Sequence, residues 1–182
     1  MKELKIKNTI LVLTIGDITK QETDAIVNAA NKKLAPSGGV AGAIHRAAGP
    51  KLWEECRKLG GCKTGEAKIT KGYNLNAKYI IHTVGPVYSN SQDDPKKLSS
   101  CYQECLKLAE ASNIKSISFP ALSTGYFGYP INKAAGVAFE TITNELTKPL
   151  NLDLVKFVLY NQKSFDIHKK VFDNVINQKN LK

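Results

Sequence analysis

The stretch that decides the fold class runs from Ser116 to Pro130 and reads SISFPALSTGYFGYP. Its first five residues are mostly small, β-branched or aromatic, which is typical of a short buried strand. A loop of serine, threonine and glycine follows, and Pro130 then opens a helical pattern where its missing N–H costs nothing. The segment therefore predicts a strand, a glycine-rich loop and a helix in direct succession.

The same alternation of strand and helix runs through the rest of the chain. The predicted strands are short apolar runs between turn residues, at 9–15, 24–27, 79–84, 116–120 and 154–160. The predicted helices repeat apolar residues three and four positions apart, at 39–48, from Pro50 onward, at 95–112, at 130–146 and in a final segment capped by Ser164. This alternation favours the α/β class, with a largely parallel sheet covered on both faces.

The length of 182 residues suits one domain with a sizeable core. No linker or internal repeat divides it, so we expect a single domain over 1–182 with a polar, frayed end at 177–182. No apolar run reaches the roughly 18 residues of a membrane span. The start, Met1 to Lys5, lacks the apolar stretch of a secretory signal. The expected location is therefore the cytoplasm, away from membranes.

The chain is basic, with 26 Lys and Arg residues against 16 Asp and Glu and a formal net charge of +10. Such a charge attracts anionic partners over long range. Because no dense basic run occurs, scattered solvated lysines are the alternative interpretation. Nucleic acid is then only a weak candidate partner, since the charge alone points to it.

The four cysteines are expected to be structural thiols. Cys101 and Cys105 lie four residues apart on the apolar stripe of a predicted helix, where a free cysteine behaves as a small hydrophobe. Cys56 and Cys62 lack a second pair at zinc-finger spacing, and the three histidines are widely dispersed. A cytoplasmic location also disfavours a disulfide. We therefore expect no metal site and no cofactor.

Two loops combine glycines with the start of a helix. Residues 36–42, PSGGVAG, lead into the predicted helix at 39–48, and residues 123–130, STGYFGYP, lead into the helix at 130–146. Glycines let a backbone approach a ligand closely, and the first N–H groups of a helix are unpaired at its positive end. One such loop also fits a plain tight turn, but two predict a ligand with more than one phosphate. Neither loop has dinucleotide-binding or P-loop spacing, which disfavours redox and phosphoryl-transfer chemistry.

Polar residues also follow the first two predicted strands, where ligands bind in parallel sheets. Asp17 follows Gly16 and either stabilises a turn or faces a ligand. Asn28 and Asn31 come directly after a buried strand and need partners there. They either fix the loop backbone or face a ligand, and the residues alone leave both open.

Five segments, in this order, resemble the macrodomain family, and the similarity extends over about residues 10–172. They are GDIT (16–19), VNAAN (27–31), GGVAGAIH (38–45), IHTVGP (81–86) and PALSTGYFGYP (120–130). The chain is most similar to the MacroD-type branch. The resemblance implies a three-layer α/β/α fold around a central mixed, largely parallel sheet, with ADP-ribose as the ligand.

The resemblance assigns parts of ADP-ribose to residues of this chain. Asp17 would accept a hydrogen bond from the adenine amino group beside Ile18, and Tyr160 would pack against the ring unless it is an ordinary core aromatic. Asn31 would contact the distal ribose, and Phe127 would set the orientation of that ribose. The two glycine loops would hold the diphosphate. The remaining binding candidates are Asn28, Ser37, Gly38, Gly39, Val40, Ala41, Gly42, Ser123, Thr124, Gly125 and Tyr126.

Two departures from the family pattern bear on catalysis. Pro36 and Ser37 stand where the family commonly has glycines, so the entry of this loop is stiffer. Ala41 stands where many hydrolytic members have an aspartate proposed to activate or position the attacking water, and such a base contributes about 10²–10⁴-fold. The candidate catalytic residues are then Asn31 and His45. His45 lies off the apolar face of its helix, where it either orients a water or phosphate or has no role.

The resemblance implies two alternative functions. The first is hydrolysis of ADP-ribosyl esters, either on acidic side chains of ADP-ribosylated proteins or in O-acetyl-ADP-ribose. The second is a binding module that holds ADP-ribose without turnover. We favour hydrolysis because Asn31, Phe127 and the two glycine loops resemble those of active members. A monomer is expected.

Overall fold

The computed structural model describes residues 1–181. Within these residues, seven strands and five helices follow one another. The strands are β1 (Lys2–Ile6), β2 (Thr9–Ile15), β3 (Ala25–Ala29), β4 (Ala67–Lys71), β5 (Tyr79–Thr83), β6 (Ser116–Phe119) and β7 (Leu154–Leu159). The helices are α1 (Gly39–Ala48), α2 (Pro50–Cys56), α3 (Asp93–Ala111), α4 (Ile131–Leu146) and α5 (Gln162–Gln178), with short 3₁₀ helices at Ile18–Lys20 and Arg57–Leu59.

The strands form one mixed sheet in the order β1-β2-β7-β6-β3-β5-β4. The five central strands run parallel, and the edge strands β1 and β4 pair antiparallel to their neighbours. This confirms the predicted α/β fold with a mixed, largely parallel sheet. The two edge strands, β1 and β4, were not predicted from the sequence. Both read as alternating charged and apolar residues, which is how natural sheets protect their edges.

The sheet separates two hydrophobic layers, because neighbouring residues of a strand point to opposite faces. Val27 of β3 packs in the larger layer with residues of α3, α4 and α5, such as Phe139. Ile26, its neighbour, packs on the other face with Ile44 of α1 and Leu52 of α2. The helices therefore cover both faces, as the alternating sequence predicted.

The final helix begins earlier than predicted, and its cap is a different residue. The side chain of Asn161 accepts a hydrogen bond from the backbone N–H of Ser164 at 2.9 Å, so Asn161 is the cap in place of Ser164. Asparagine and serine cap helices about equally well, so the sequence did not distinguish them. Of the predicted frayed end at 177–182, Lys182 lies outside the described residues. Leu181 packs against the core, so the described part of this end is attached to the domain.

All four cysteines are free and buried, in the core positions expected of structural thiols. Burial raises the pKa of Cys56 and Cys62 to about 11, so both thiols stay protonated at neutral pH. Within residues 1–181, no helix is long and apolar enough to cross a membrane.

Candidate ligand-binding site at the carboxyl edge of the sheet

The five parallel strands end at one edge of the sheet, so the loops that follow them meet there. Between these loops lies a cavity of about 740 Å³, within the range that binds small molecules. Its lining comes from the loops after β3, β5 and β6. The lining residues are Ala29, Ala30, Asn31, Ser37, Gly38, Gly39, Val40, Gly85, Ala121, Leu122, Ser123, Gly125, Tyr126 and Phe127.

The first wall of the cavity is the loop that leads into α1. Gly38 is the N-cap of this helix, and no side chain caps it or adds negative charge to its first turn. The first N–H groups of α1 are therefore free to bind an anion. Gly42 allows the tight entry, since a β carbon there would lie 2.1 Å from the carbonyl oxygen of Ser37.

The second wall is the loop from Ser123 to Phe127. Two hydrogen bonds close this loop: Gly128 N–H donates to Gly125 C=O at 3.0 Å, and Tyr129 N–H donates to Ser123 C=O at 2.9 Å. Within the described residues, the N–H groups of residues 124–127 donate to no backbone carbonyl. Two sets of available N–H groups thus border one cavity, as the two glycine loops predicted.

Ser123 occupies a special position in the second wall. It adopts a left-handed conformation with φ of 64°, which non-glycine residues rarely do. Ser123 is 7% exposed, and its hydroxyl has no hydrogen-bond partner within the described residues. Strained backbone clusters at active sites and ligand-binding loops, and a buried hydroxyl without a partner is uncommon, so Ser123 is a candidate to contact a ligand.

Asn31 lines the cavity, but its side chain is already engaged. Its amide nitrogen donates to Ala35 C=O at 2.8 Å, and its oxygen accepts from the N–H groups of Lys33 and Ala35, each at 3.1 Å. The side chain therefore fixes the loop after β3. Of the two alternatives that the sequence left open, fixing the loop backbone or facing a ligand, the side chain therefore does the first. It does so at the edge of the cavity.

Asp17 and Tyr160 lie at the same edge of the sheet, after two neighbouring strands. They follow β2 and β7, which pair in parallel, and Gly16 N–H donates to Leu159 C=O at 2.9 Å. Oδ1 of Asp17 accepts from the N–H and the hydroxyl of Thr19, which hold the pKa of Asp17 below its usual range. The carboxylate thus caps the 3₁₀ helix while its second oxygen stays available.

The comparisons with known proteins agree on one family. The family model described as Macro domain matches residues 27–138. A Macro domain-containing protein of Chlorobaculum tepidum is 48% identical over 164 residues, which cover 90% of this chain and 95% of that protein. The chain belongs to the Macro domain family.

Two further relatives of this macrodomain carry informative names. The ADP-ribose glycohydrolase MACROD2 of Xenopus laevis is 47% identical over 175 residues, which cover 93% of this chain and 42% of that longer protein. A variant of the Oceanobacillus iheyensis macrodomain with ADPR superimposes with a TM-score of 0.93 at 40% identity. That match covers 97% of this chain and 98% of the other. These findings confirm the family and the three-layer fold that the sequence predicted.

The macrodomain cavity contains many of the predicted binding residues. Those in the lining are Asn31, Ser37, Gly38, Gly39, Val40, Ser123, Gly125, Tyr126 and Phe127. Ala41, Gly42 and Thr124 lie in the same two walls but outside the lining. The side chain of Ile18 is buried in the same hydrophobic layer as Val158, and Ile18 is not among the residues that line the cavity.

Tyr160 lies outside the cavity lining and is not a core aromatic. Tyr160 is 86% exposed, so the alternative of a core aromatic is wrong. An exposed aromatic at the end of β7, the strand next to β2, provides a flat surface for a planar ring. Its predicted contact with adenine stays a prediction.

Asn28 and His45 do not reach the cavity. Asn28 is only 1% exposed, and its amide nitrogen lies 3.0 Å from Nδ1 of His82 inside the core. His45 was expected off the buried face of α1, yet it is 7% exposed and neither ring nitrogen has a partner. The reason is that α1 contacts β3, α2 and the 3₁₀ helix at Ile18–Lys20, so more than its apolar stripe is covered. Burial lowers the pKa of His45, which keeps it neutral at pH 7.

Five lining residues were not among the predicted site residues: Ala29, Ala30, Gly85, Ala121 and Leu122. All lie in segments that resembled the family, and Gly85 lies two residues after the end of β5. Its position after a central strand could have identified Gly85 as a site residue, because ligands bind in the loops that follow parallel strands.

Proposed function

We propose that this macrodomain binds ADP-ribose in the cavity and hydrolyses esters that link ADP-ribose to a carboxylic acid. The observation that carries the proposal is the pair of loops with available N–H groups on the cavity border. Backbone N–H groups and a helix N-terminus suit a diphosphate, which has negative oxygens on both sides. The ADPR in the related structure and the name of MACROD2 support the same ligand.

Each part of the ligand has a fitting surface. Adenine would lie against the exposed ring of Tyr160, with its amino group donating to the free oxygen of Asp17. The diphosphate would lie between the two walls. The distal ribose would lie at the end bordered by Asn31 and Phe127. The strand order sets the direction of the ligand along the edge of the sheet. Asp17 follows β2 and Asn31 follows β3, and β7 and β6 lie between these two strands, so the adenine and the distal ribose lie at opposite ends of the site.

The reaction consumes one water and yields ADP-ribose and a free carboxylic acid. The substrates are esters of Glu or Asp side chains in ADP-ribosylated proteins, and O-acetyl-ADP-ribose as a small ester. No carboxylate stands at position 41, and Asn31 already donates to Ala35 C=O. We therefore assign catalysis to substrate positioning by the two walls, with Asn31 as a positioning residue. A positioned base would add about 10²–10⁴-fold, so turnover is expected to be slow. His45 receives no role in this scheme.

The second candidate function is a binding module for ADP-ribose without turnover. Two observations favour it: Ala41 stands in place of an acidic residue, and the Asn31 amide is engaged with the loop. The proposed partners are the same in both cases, namely ADP-ribosylated proteins. Four free thiols fit a reducing compartment, so we place the protein in the cytoplasm.

Single-turnover release of ADP-ribose from a glutamate-linked substrate separates the two functions. We expect release above the buffer rate in the parent protein, and faster release in Ala41→Asp by up to about 10²-fold if the carboxylate is aligned. Asn31→Ala should lose most of this rate. It should also weaken binding, because three hydrogen bonds that fix the loop disappear. Tight ADP-ribose binding without release in the parent would show that the chain binds ADP-ribose and does not remove it.

A further inference from the structure

A second cavity of about 420 Å³ adjoins the first. Gly85 and Phe127 line both cavities, so the two meet at these residues. The second cavity lies between the loop after β3 and the start of α3, with Lys32 and Lys97 among its lining. It thus begins where the distal ribose of the proposed ligand would end.

The walls of this second cavity are fixed by the backbone. Cys62 N–H donates to Lys32 C=O at 2.8 Å, and Gly65 N–H donates to Val84 C=O at 2.9 Å. The hydroxyl of Ser100 on α3 donates to Gly65 C=O at 2.7 Å. These bonds connect four of the segments that border the cavity, namely the loop at Lys32, residues 62–65, the segment at Val84 and α3.

The charge that this cavity presents to a partner is positive. Lys32 and Lys97 are both exposed, and neither forms an ion pair within residues 1–181. Asp94 is the acidic residue of the lining, but it is 2% exposed. Its carboxylate accepts from Ser89 N–H at 2.8 Å, the Ser89 hydroxyl and Ser91 N–H. The bond from Ser89 N–H, with a smaller contribution from the positive charge of Lys97, lowers the pKa of Asp94 and keeps it ionised. The lining therefore carries two exposed lysines against one buried carboxylate.

We infer that this second cavity binds the peptide that flanks the modified residue, and that it prefers acidic peptides. The inference rests on the proposed function, since it places the distal ribose at Phe127. An esterified side chain leaving that ribose would pass Gly85 and enter the second cavity, where Lys32 and Lys97 would pair with flanking carboxylates. Val84 and Val87 also line the cavity and offer apolar surface to the side chains of a peptide.

The test compares ADP-ribose with two peptide conjugates, measured by calorimetry. Both peptides carry ADP-ribose through one stable, non-hydrolysable linkage. One has Glu residues on either side, and the other has Gln residues at the same places. The parent should bind the acidic conjugate about three- to tenfold more tightly than the neutral one, which is the range for two exposed ion pairs. Raising the salt from 0.1 M to 0.5 M should remove most of this preference.

Substitution of both lysines should abolish the preference. Lys32→Ala with Lys97→Ala should bind the two conjugates equally and free ADP-ribose as the parent does. Lys5→Ala is the matched control, since Lys5 is an exposed lysine on β1 at the other side of the sheet, and it should keep the preference.

The outcomes separate this inference from the proposed function. Equal binding of the two conjugates by the parent, while free ADP-ribose binds, would overturn the peptide inference alone. A preference that survives the double substitution would also overturn it. Tighter binding of an ADP-ribosylated DNA end than of the acidic conjugate would assign the surface to nucleic acid instead. Failure of free ADP-ribose to bind would overturn the proposed function itself.

Discussion

The hydroxyl oxygen of Ser123 occupies the space that a β carbon at position 85 would need, since the two would lie 2.1 Å apart. Gly85 follows β5 and Ser123 follows β6, so two neighbouring loops of the carboxyl edge fit together here. The same hydroxyl is buried, unpaired and part of the cavity lining. The absence of a side chain at position 85 therefore leaves room for Ser123 at the start of the second wall.

Replacing Gly85 by alanine should destabilise the protein and weaken ADP-ribose binding. The added methyl group must displace Ser123, and overpacking of this kind costs about 1–3 kcal/mol of unfolding free energy. Urea unfolding measures the first effect and calorimetry the second. Gly136→Ala is the control, since nothing lies within 4 Å of a β carbon there and alanine favours a helix.

A second substitution tests whether the clash is the cause. Combining Gly85→Ala with Ser123→Gly removes the hydroxyl and suits the left-handed backbone at position 123. The double variant should recover most of the lost unfolding free energy. If it stays as unstable as Gly85→Ala alone, the Ser123 contact is not what requires glycine at position 85.

Asp17→Asn should lower the affinity for ADP-ribose by about 1.5–3 kcal/mol, the range for a hydrogen bond to a charged group. Asparagine keeps an oxygen to cap the 3₁₀ helix through Thr19 N–H, but it turns the free acceptor into a donor. The fold should therefore be retained, and unfolding curves check this. Unchanged affinity would show that Asp17 acts as a cap alone.

Tyr160→Ala should weaken ADP-ribose binding by about 1–3 kcal/mol, as expected for loss of an aromatic surface stacked on a base. Because the ring is 86% exposed, unfolding stability should barely change. Tyr79→Ala is the control: Tyr79 is also exposed but lies at the start of β5, away from the carboxyl edge. Equal binding by both variants would place adenine elsewhere.

The sequence predicted the elements that carry periodic apolar residues and missed features that depend on packing. Strands β2, β3, β5, β6 and β7 were recognised because they are buried and read as apolar runs. The edge strands β1 and β4 were missed because their exposed charges weaken that pattern. The glycine loops were recognised from composition. By contrast, the burial of His45 and the pairing of Ser123 with Gly85 arise from contacts between distant segments, which local periodicity does not contain.

Folding stability should fall as the pH decreases below about 6.5, the usual pKa of histidine. Burial, with a smaller effect of His45, lowers the pKa of His82 to about 3, and burial also lowers the pKa of His45 and His168. The unfolded chain therefore binds more protons than the folded protein between pH 6.5 and 3. The stability is fully present above 6.5 and is lost on acidification, by about 1.4 kcal/mol per pH unit for His82 alone.

Urea unfolding at pH 7.5, 6.0 and 5.0 measures this dependence. The carboxylates with lowered pKa values, such as Asp17 and Asp94, stay ionised throughout this range and should not contribute. His82→Gln should show a smaller slope than the parent. Constant stability of the parent from pH 7.5 to 5.0 would mean that the buried histidines are protonated without cost.

Calorimetric titration of the parent protein with ADP-ribose tests the central claim most directly. We predict binding at one site, with stabilisation of about 2.7 kcal/mol when free ADP-ribose exceeds the dissociation constant a hundredfold. A melting experiment on the same samples should show a higher Tm with ligand. No heat of binding and no change in Tm at millimolar ADP-ribose would contradict the assignment of the cavity to this ligand.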